Sequence, residues 1–136
     1  MSMSDLKARD LMKTKITSVR PDEKVAAVDL LMVRKSLGGV PILQYETDKL
    51  VGIVTQRDMM LSRFRTSIAG MTVENLMTKN PITVSPDVSI KELLGLMLSH
   101  RIERLPVIDN GKLVGIIEPD SILKAVYQTI SSDPKI

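Results

Sequence analysis

The 136-residue chain has no cysteine, no tryptophan, one histidine and three aromatic side chains, Tyr45, Phe64 and Tyr127. Without cysteine there is no disulfide, no thiolate nucleophile and no zinc–thiolate site, as suits a reducing compartment. His100 alone cannot build a multi-histidine metal centre. Aromatics at 2% fall short of the stacking platforms that hold single-stranded nucleic acid. No apolar run approaches the roughly 20 residues that cross a bilayer. Residues 1–10 lack the apolar core of a secretory signal. A cytoplasmic protein without membrane attachment is therefore expected. No carboxylate pair or metal-ligand spacing offers itself for catalysis, so a non-catalytic role is expected as well.

What is present describes an ordinary folded chain: 43% hydrophobic and 26% charged residues, with 7 Gly and 7 Pro. That composition argues against wholesale disorder. A net charge of +3 suits an anionic ligand but is far below that of a dedicated duplex binder. Nucleic-acid binding or scaffolding is the alternative function that the basic balance leaves open.

The dominant feature is an internal repeat. Leu11-Met12 recurs as Leu76-Met77, and Val19-Arg20-Pro21-Asp22 as Val84-Ser85-Pro86-Asp87. Val40-Pro41-Ile42 recurs as Leu105-Pro106-Val107, and Lys49-Leu50-Val51-Gly52-Ile53 as Lys112-Leu113-Val114-Gly115-Ile116. The first copy has two extra residues at 45–48, where Asn110-Gly111 forms the short turn of the second. Insertions at a hairpin tip cost little.

Each copy predicts the same order. A short helix ends near Leu-Met, and a short strand (17–19; 82–84) runs into Pro-Asp, read as a helix start. A helix follows, with apolar spacing at Val25, Val28, Leu31 and Met32, then at Ile90, Leu93, Met97 and Leu98. Two strands come next (40–43 with 50–55; 105–108 with 113–117), the first of each pair carrying an edge-favouring proline. A last helix closes each copy (56–64; 119–130). The copies are assigned to residues 6–65 and 72–130, with 66–71 as linker. A unit of some 60 residues has a marginal core alone, so the copies are expected to pack as one pseudo-two-fold unit.

Gly52-Ile53-Val54-Thr55-Gln56-Arg57-Asp58 is the sharpest chemical segment. Thr55 ends a buried strand and opens a helix, where its hydroxyl and nearby N–H groups suit a phosphate. The Asp58 carboxylate can accept both hydroxyls of a ribose. The same Thr-x-x-Asp spacing is also a helix capping box needing no ligand. The second copy carries Glu118 and Ser121 at these positions, which suit a phosphate and a ribose poorly. Lys13, Lys15, Arg63 and Arg65 form a possible basic rim, with a solvated face as the plainer reading. His100-Arg101 suits the end of a helix. Met32, Met59, Met60 and Met97 suit a core or a dimer contact.

The Leu-Met, Val-x-Pro-Asp, Leu/Val-Pro-Ile/Val and Gly-Ile-Val-Thr-x-x-Asp segments together resemble the CBS domain pair, or Bateman module, over residues 6–130. That resemblance implies an α+β fold: a tandem pair of β-α-β-β-α repeats with small mixed sheets about a pseudo-two-fold axis. It implies a sensor that binds AMP, ADP, ATP or S-adenosylmethionine in a cleft between the copies and needs no obligatory cofactor. The module would act in trans on an unidentified target protein. Thr55 and Asp58 take the phosphate and ribose in that comparison. Arg104 reaches the phosphate, or else lies over apolar neighbours as a surface arginine. Ile16 and Thr17 flank the adenine or are simple core packing. Similar modules pair as homodimers, a role assigned to Met59, Met60, Ile122 and Val126.

Overall fold

The computed structural model describes residues 2–64 and 69–131. Arg65 of the basic rim and positions 66–68 of the expected linker lie outside the described residues. The helices and strands in chain order are α1 (Ala8–Leu11), α2 (Val25–Arg34), β1 (Gly39–Leu43), β2 (Leu50–Thr55), α3 (Gln56–Ser62), β3 (Thr78–Lys79), α4 (Ile90–His100), β4 (Leu105–Asp109), β5 (Lys112–Ile117) and α5 (Pro119–Ile130). This is the expected mixed α/β arrangement, repeated. The chain divides into two compact units that do not follow the repeats. One is Thr17–Pro81; the other joins the segment ending at Ile16 to everything from Ile82 onward. Each Leu-Met segment thus belongs to the unit built around the other repeat.

In the first-repeat unit, β1 pairs antiparallel with β2, which pairs antiparallel with β3. The expected strand at 17–19 contracts to one residue, Val19, bridged in parallel to Ile42. Val19 donates its N–H to the Pro41 carbonyl at 3.1 Å and accepts from the Leu43 N–H at 2.9 Å. A strand residue points its N–H and C=O the same way, so the donor that Pro41 lacks falls where this bridge needs none. Val25, Val28 and Met32 of α2 bury against Val40, Ile42, Val54 and Met59.

Pro21 and Asp22 do not start α2, which begins at Val25. They form a turn whose carbonyls receive the incoming Leu-Met segment. Glu74 donates to the Pro21 carbonyl at 3.1 Å and Val73 to that of Glu23 at 2.9 Å. In return the Met71 carbonyl takes the Val25 N–H at 2.9 Å, satisfying one of the free donors of the first helical turn. The two extra residues at the β1–β2 tip have a use here. Arg20 pairs with Asp48 at 2.7 Å and stacks 5.2 Å from the Tyr45 ring, while Tyr45 donates to Asp22 at 2.7 Å.

The second-repeat unit reproduces this scheme. β4 and β5 form an antiparallel pair, and Val84 makes the one-residue parallel bridge, to Val107. The Asn110-Gly111 turn has φ of 51° and 77°, the left-handed pair that a tight hairpin requires. Arg9 donates to the Pro86 carbonyl at 3.0 Å and Ala8 to that of Val88 at 2.9 Å, while the Leu6 carbonyl takes the Ile90 N–H at 2.9 Å. These are the same three bonds as in the first unit. Ser89 adds a side-chain cap to α4, accepting from Glu92 at 3.2 Å. The other end of α4 closes on the left-handed backbone of Arg101 (φ 52°), whose own N–H caps the Met97 carbonyl.

Three apolar assignments need correction. Leu98 is 79% exposed, off the buried face set by Ile90 and Leu93. Met59 and Ile122, assigned above to a dimer contact, are buried in the cores of their own units because they face inward from α3 and α5. Met60 is exposed and Val126 half-buried.

The two glycines inside β2 and β5 explain the recurrence of Leu-Met. A Cβ on Gly52 would run into the Met77 side chain and lie 2.9 Å from the Thr78 carbonyl oxygen; one on Gly115 would lie 2.8 Å from Met12 Cβ. Each methionine therefore lies across a strand at the one position without a side chain. Gly52→Ala and Gly115→Ala should each destabilise the protein by about 1–3 kcal/mol, as overpacking does. Gly95→Ala, in the exposed middle of α4 with open space around it, should stabilise by up to about 1 kcal/mol. Urea denaturation of the three variants checks this, and no loss at Gly52 and Gly115 would contradict the seating.

Candidate functional site

Thr55 ends β2 because its hydroxyl can close the helix that follows. Its Oγ1 accepts from the Asp58 N–H at 3.4 Å, while Asp58 Oδ2 accepts from the Thr55 N–H at 2.8 Å and its hydroxyl at 3.1 Å. The capping box is thus present in full, at half-buried residues. It consumes one carboxylate oxygen. No group among the described residues donates to Asp58 Oδ1, so a charged acceptor stays available at the box.

The second repeat builds a different site at the matching positions. Ser121 Oγ receives the Glu118 N–H at 3.4 Å and donates to the Glu118 carbonyl at 2.8 Å. The Glu118 side chain turns instead to two cations. Its Oε2 accepts from Arg104 Nε at 3.1 Å and its Oε1 lies 3.4 Å from Lys13 Nζ. Lys13 also donates to Asp120 at 2.8 Å. That hydrogen bond is the main reason the Lys13 pKa is raised, and it holds the Asp120 carboxyl below the usual carboxylate range. In the first unit the residues matching Lys13, Arg104 and Glu118 are Thr78, Gly39 and Thr55, all uncharged.

Thr17, Thr55 and Asp58 thus belong to the first-repeat unit, and Ile16 and Arg104 to the second. Thr55 and Asp58 are in contact. Ile16 and Thr17 are half-buried in irregular backbone. Arg104 is not a surface arginine over apolar neighbours: its side chain is 19% exposed and tied to Glu118, with Glu103 a further 3.5 Å partner. Of the basic rim, Arg63 pairs with Asp29 at 3.3 Å and Lys13 with the acidic pair, so neither is a free surface charge. Sequence reasoning missed the Lys13–Glu118–Arg104 bridge and the glycine seats. The glycines left a signal, since an isolated glycine inside an apolar strand marks close approach of another segment. The bridge left none.

The sequence profile of the CBS domain matches residues 8–63 and again 73–128, and the chain belongs to the CBS domain family. The CBS domain-containing protein YhcV of Bacillus subtilis is 32% identical over 110 residues, which cover 80% of this chain and 77% of that protein. Inosine-5'-monophosphate dehydrogenase of Methanocaldococcus jannaschii is 37% identical over 119 residues, 87% of this chain. The match spans only 23% of that enzyme. The crystal structure of CBSX2 in complex with AMP superposes with a TM-score of 0.81 at 28% identity, covering 92% of this chain and 98% of that one. No helix among the described residues is long and apolar enough to cross a membrane.

Because the box closes α3 with or without a ligand, it has a measurable stability of its own. Thr55→Ala and Asp58→Ala should each cost about 1 kcal/mol in urea denaturation of the unliganded protein. The double variant should cost less than the sum of the two, since both remove the same contacts. Additive losses would mean that the two side chains act separately.

Proposed function

We propose that this chain is a non-catalytic sensor that binds an adenosine-containing ligand and signals to a partner protein. The carrying observation is the unused Asp58 oxygen beside Thr55: a charged acceptor held in place by a cap, with the chemistry to take a ribose hydroxyl. The AMP complex of the structurally similar CBSX2 supports the choice of ligand class. In this proposal Thr55 and Asp58 take the ribose and phosphate end. Ile16 and Thr17 flank the base. Arg104 meets the phosphate through the donors that Glu118 leaves free, since only Nε is hydrogen-bonded to that carboxylate. The signal is a shift in conformational population toward the ligand-bound state. The protein acts as a homodimer, through exposed side chains such as Met60, Leu61 and Phe64, and reaches its target in trans in the cytoplasm.

Thermal shift with AMP, ADP, ATP and S-adenosylmethionine tests the proposal, each protein being compared with its own unliganded Tm. A ligand at about 100 times its Kd adds about 2.7 kcal/mol, which at this size raises Tm by several degrees. The wild type should show that shift with at least one of the four. Asp58→Ala should lose it, and Arg104→Ala should weaken it most for the phosphate-bearing ligands. No shift with any of the four, or an undiminished shift in Asp58→Ala, would overturn the assignment.

A further inference from the structure

The second-repeat unit carries an ion arrangement that its fold does not require. Arg104 stands just before β4 and Lys13 just beyond α1, two segments far apart in sequence, yet one carboxylate spans both. Glu118 presents a separate oxygen to each cation, as two oxygens of a phosphate or a free carboxylate would. Next to Lys13 lies a cleft of about 410 Å³, lined by Asp10, Lys13, Asp120, Ser121 and Lys124 among others. Its two lysines are matched by Asp10 and Asp120, and the anion that answers Arg104 is Glu118, built into the chain.

We propose that Glu118 is a tethered anion that occupies the Lys13–Arg104 pair and closes the second repeat to phosphate-bearing ligands. Glu118 then determines specificity: it keeps phosphate-bearing ligands off the Lys13–Arg104 pair and limits the chain to one phosphate ligand. The physical ground is twofold. An attached carboxylate competes at an effective concentration that a free anion at physiological level does not match. An added phosphate would also meet the Glu118 and Asp120 charges at close range, with little solvent to screen the half-buried Glu118. Removing the Glu118 charge while keeping its shape frees Arg104 Nε and takes from Lys13 one of its two carboxylate partners, Asp120 remaining.

Pyrophosphate binding, followed by calorimetry and by amide chemical shifts, provides the test. The background is Asp58→Ala, which removes the carboxylate of the first-repeat box; Arg104 is shared with the proposed sensor site, so Lys13, which is not, carries the control. Adding Glu118→Gln should raise pyrophosphate affinity on the order of tenfold or more, with shifts at Lys13, Arg104 and Ser121. Restoring neutrality with Lys13→Gln, at a residue outside the proposed sensor site, should abolish the gain. Should Glu118→Gln lose its fold, Glu118→Thr, the residue of the first repeat, replaces it under the same criterion. A folded variant that binds pyrophosphate no better than the Glu118 protein would overturn the proposal. So would tight pyrophosphate binding at Lys13 with Glu118 intact.

Discussion

A methionine laid across a glycine is the contact on which each unit turns. β2 and β5 are apolar strands, and at Gly52 and Gly115 they leave a gap that a side chain from elsewhere fills. Met77 fills one and Met12 the other, each arriving on a segment that begins outside the hairpin it completes. Arrival fixes more than one side chain. The same segments lend the carbonyls that cap α2 and α4, and receive carbonyls from the Pro-Asp turns in exchange. A Cβ at either glycine therefore disturbs the strand, the helix cap and the turn together. The exchange also means that neither unit is one contiguous repeat. The chain passes from one unit to the other after Ile16 and again after Pro81.

Much of this was legible in the sequence. The duplication, the hairpins, the short Asn110-Gly111 turn and the helix after Thr55 follow from periodicity and turn chemistry, because those signals are local. The leading strands were overread: 17–19 and 82–84 have strand composition, but their pairing depends on how much of β1 and β4 remains unpaired, and only one residue of each finds a partner. Pro21-Asp22 and Pro86-Asp87 fit a helix start locally, yet tertiary contacts use them as turns that receive another segment. Met59 could not be separated from a surface position by spacing alone on a helix as short as α3, and Ile122 stands near the start of α5.

The candidate site shows the same limit from another side. Thr55-x-x-Asp58 could be found from spacing, and its capping geometry is present. Glu118 could be recognised as a departure, but not as a bridging carboxylate, because Lys13 and Arg104 come to it from distant parts of the chain. Two repeats of one ancestry thus carry opposite chemistry. The first offers an uncommitted carboxylate oxygen and has uncharged residues where the second has Lys13, Arg104 and Glu118. The second satisfies its cations internally. A duplicated fold retains its scaffold through Gly52, Gly115 and the exchanged backbone bonds, while the residues after each strand are free to diverge.

That asymmetry is the central claim, and an amide chemical-shift titration of the wild-type protein with AMP tests it most directly. The account predicts saturable shifts at Thr55, Asp58 and their neighbours in α3, a stoichiometry of one per chain, and no comparable change at Asp120 and Ser121. Equal, saturable shifts at both motifs, or two bound AMP molecules per chain, would contradict it.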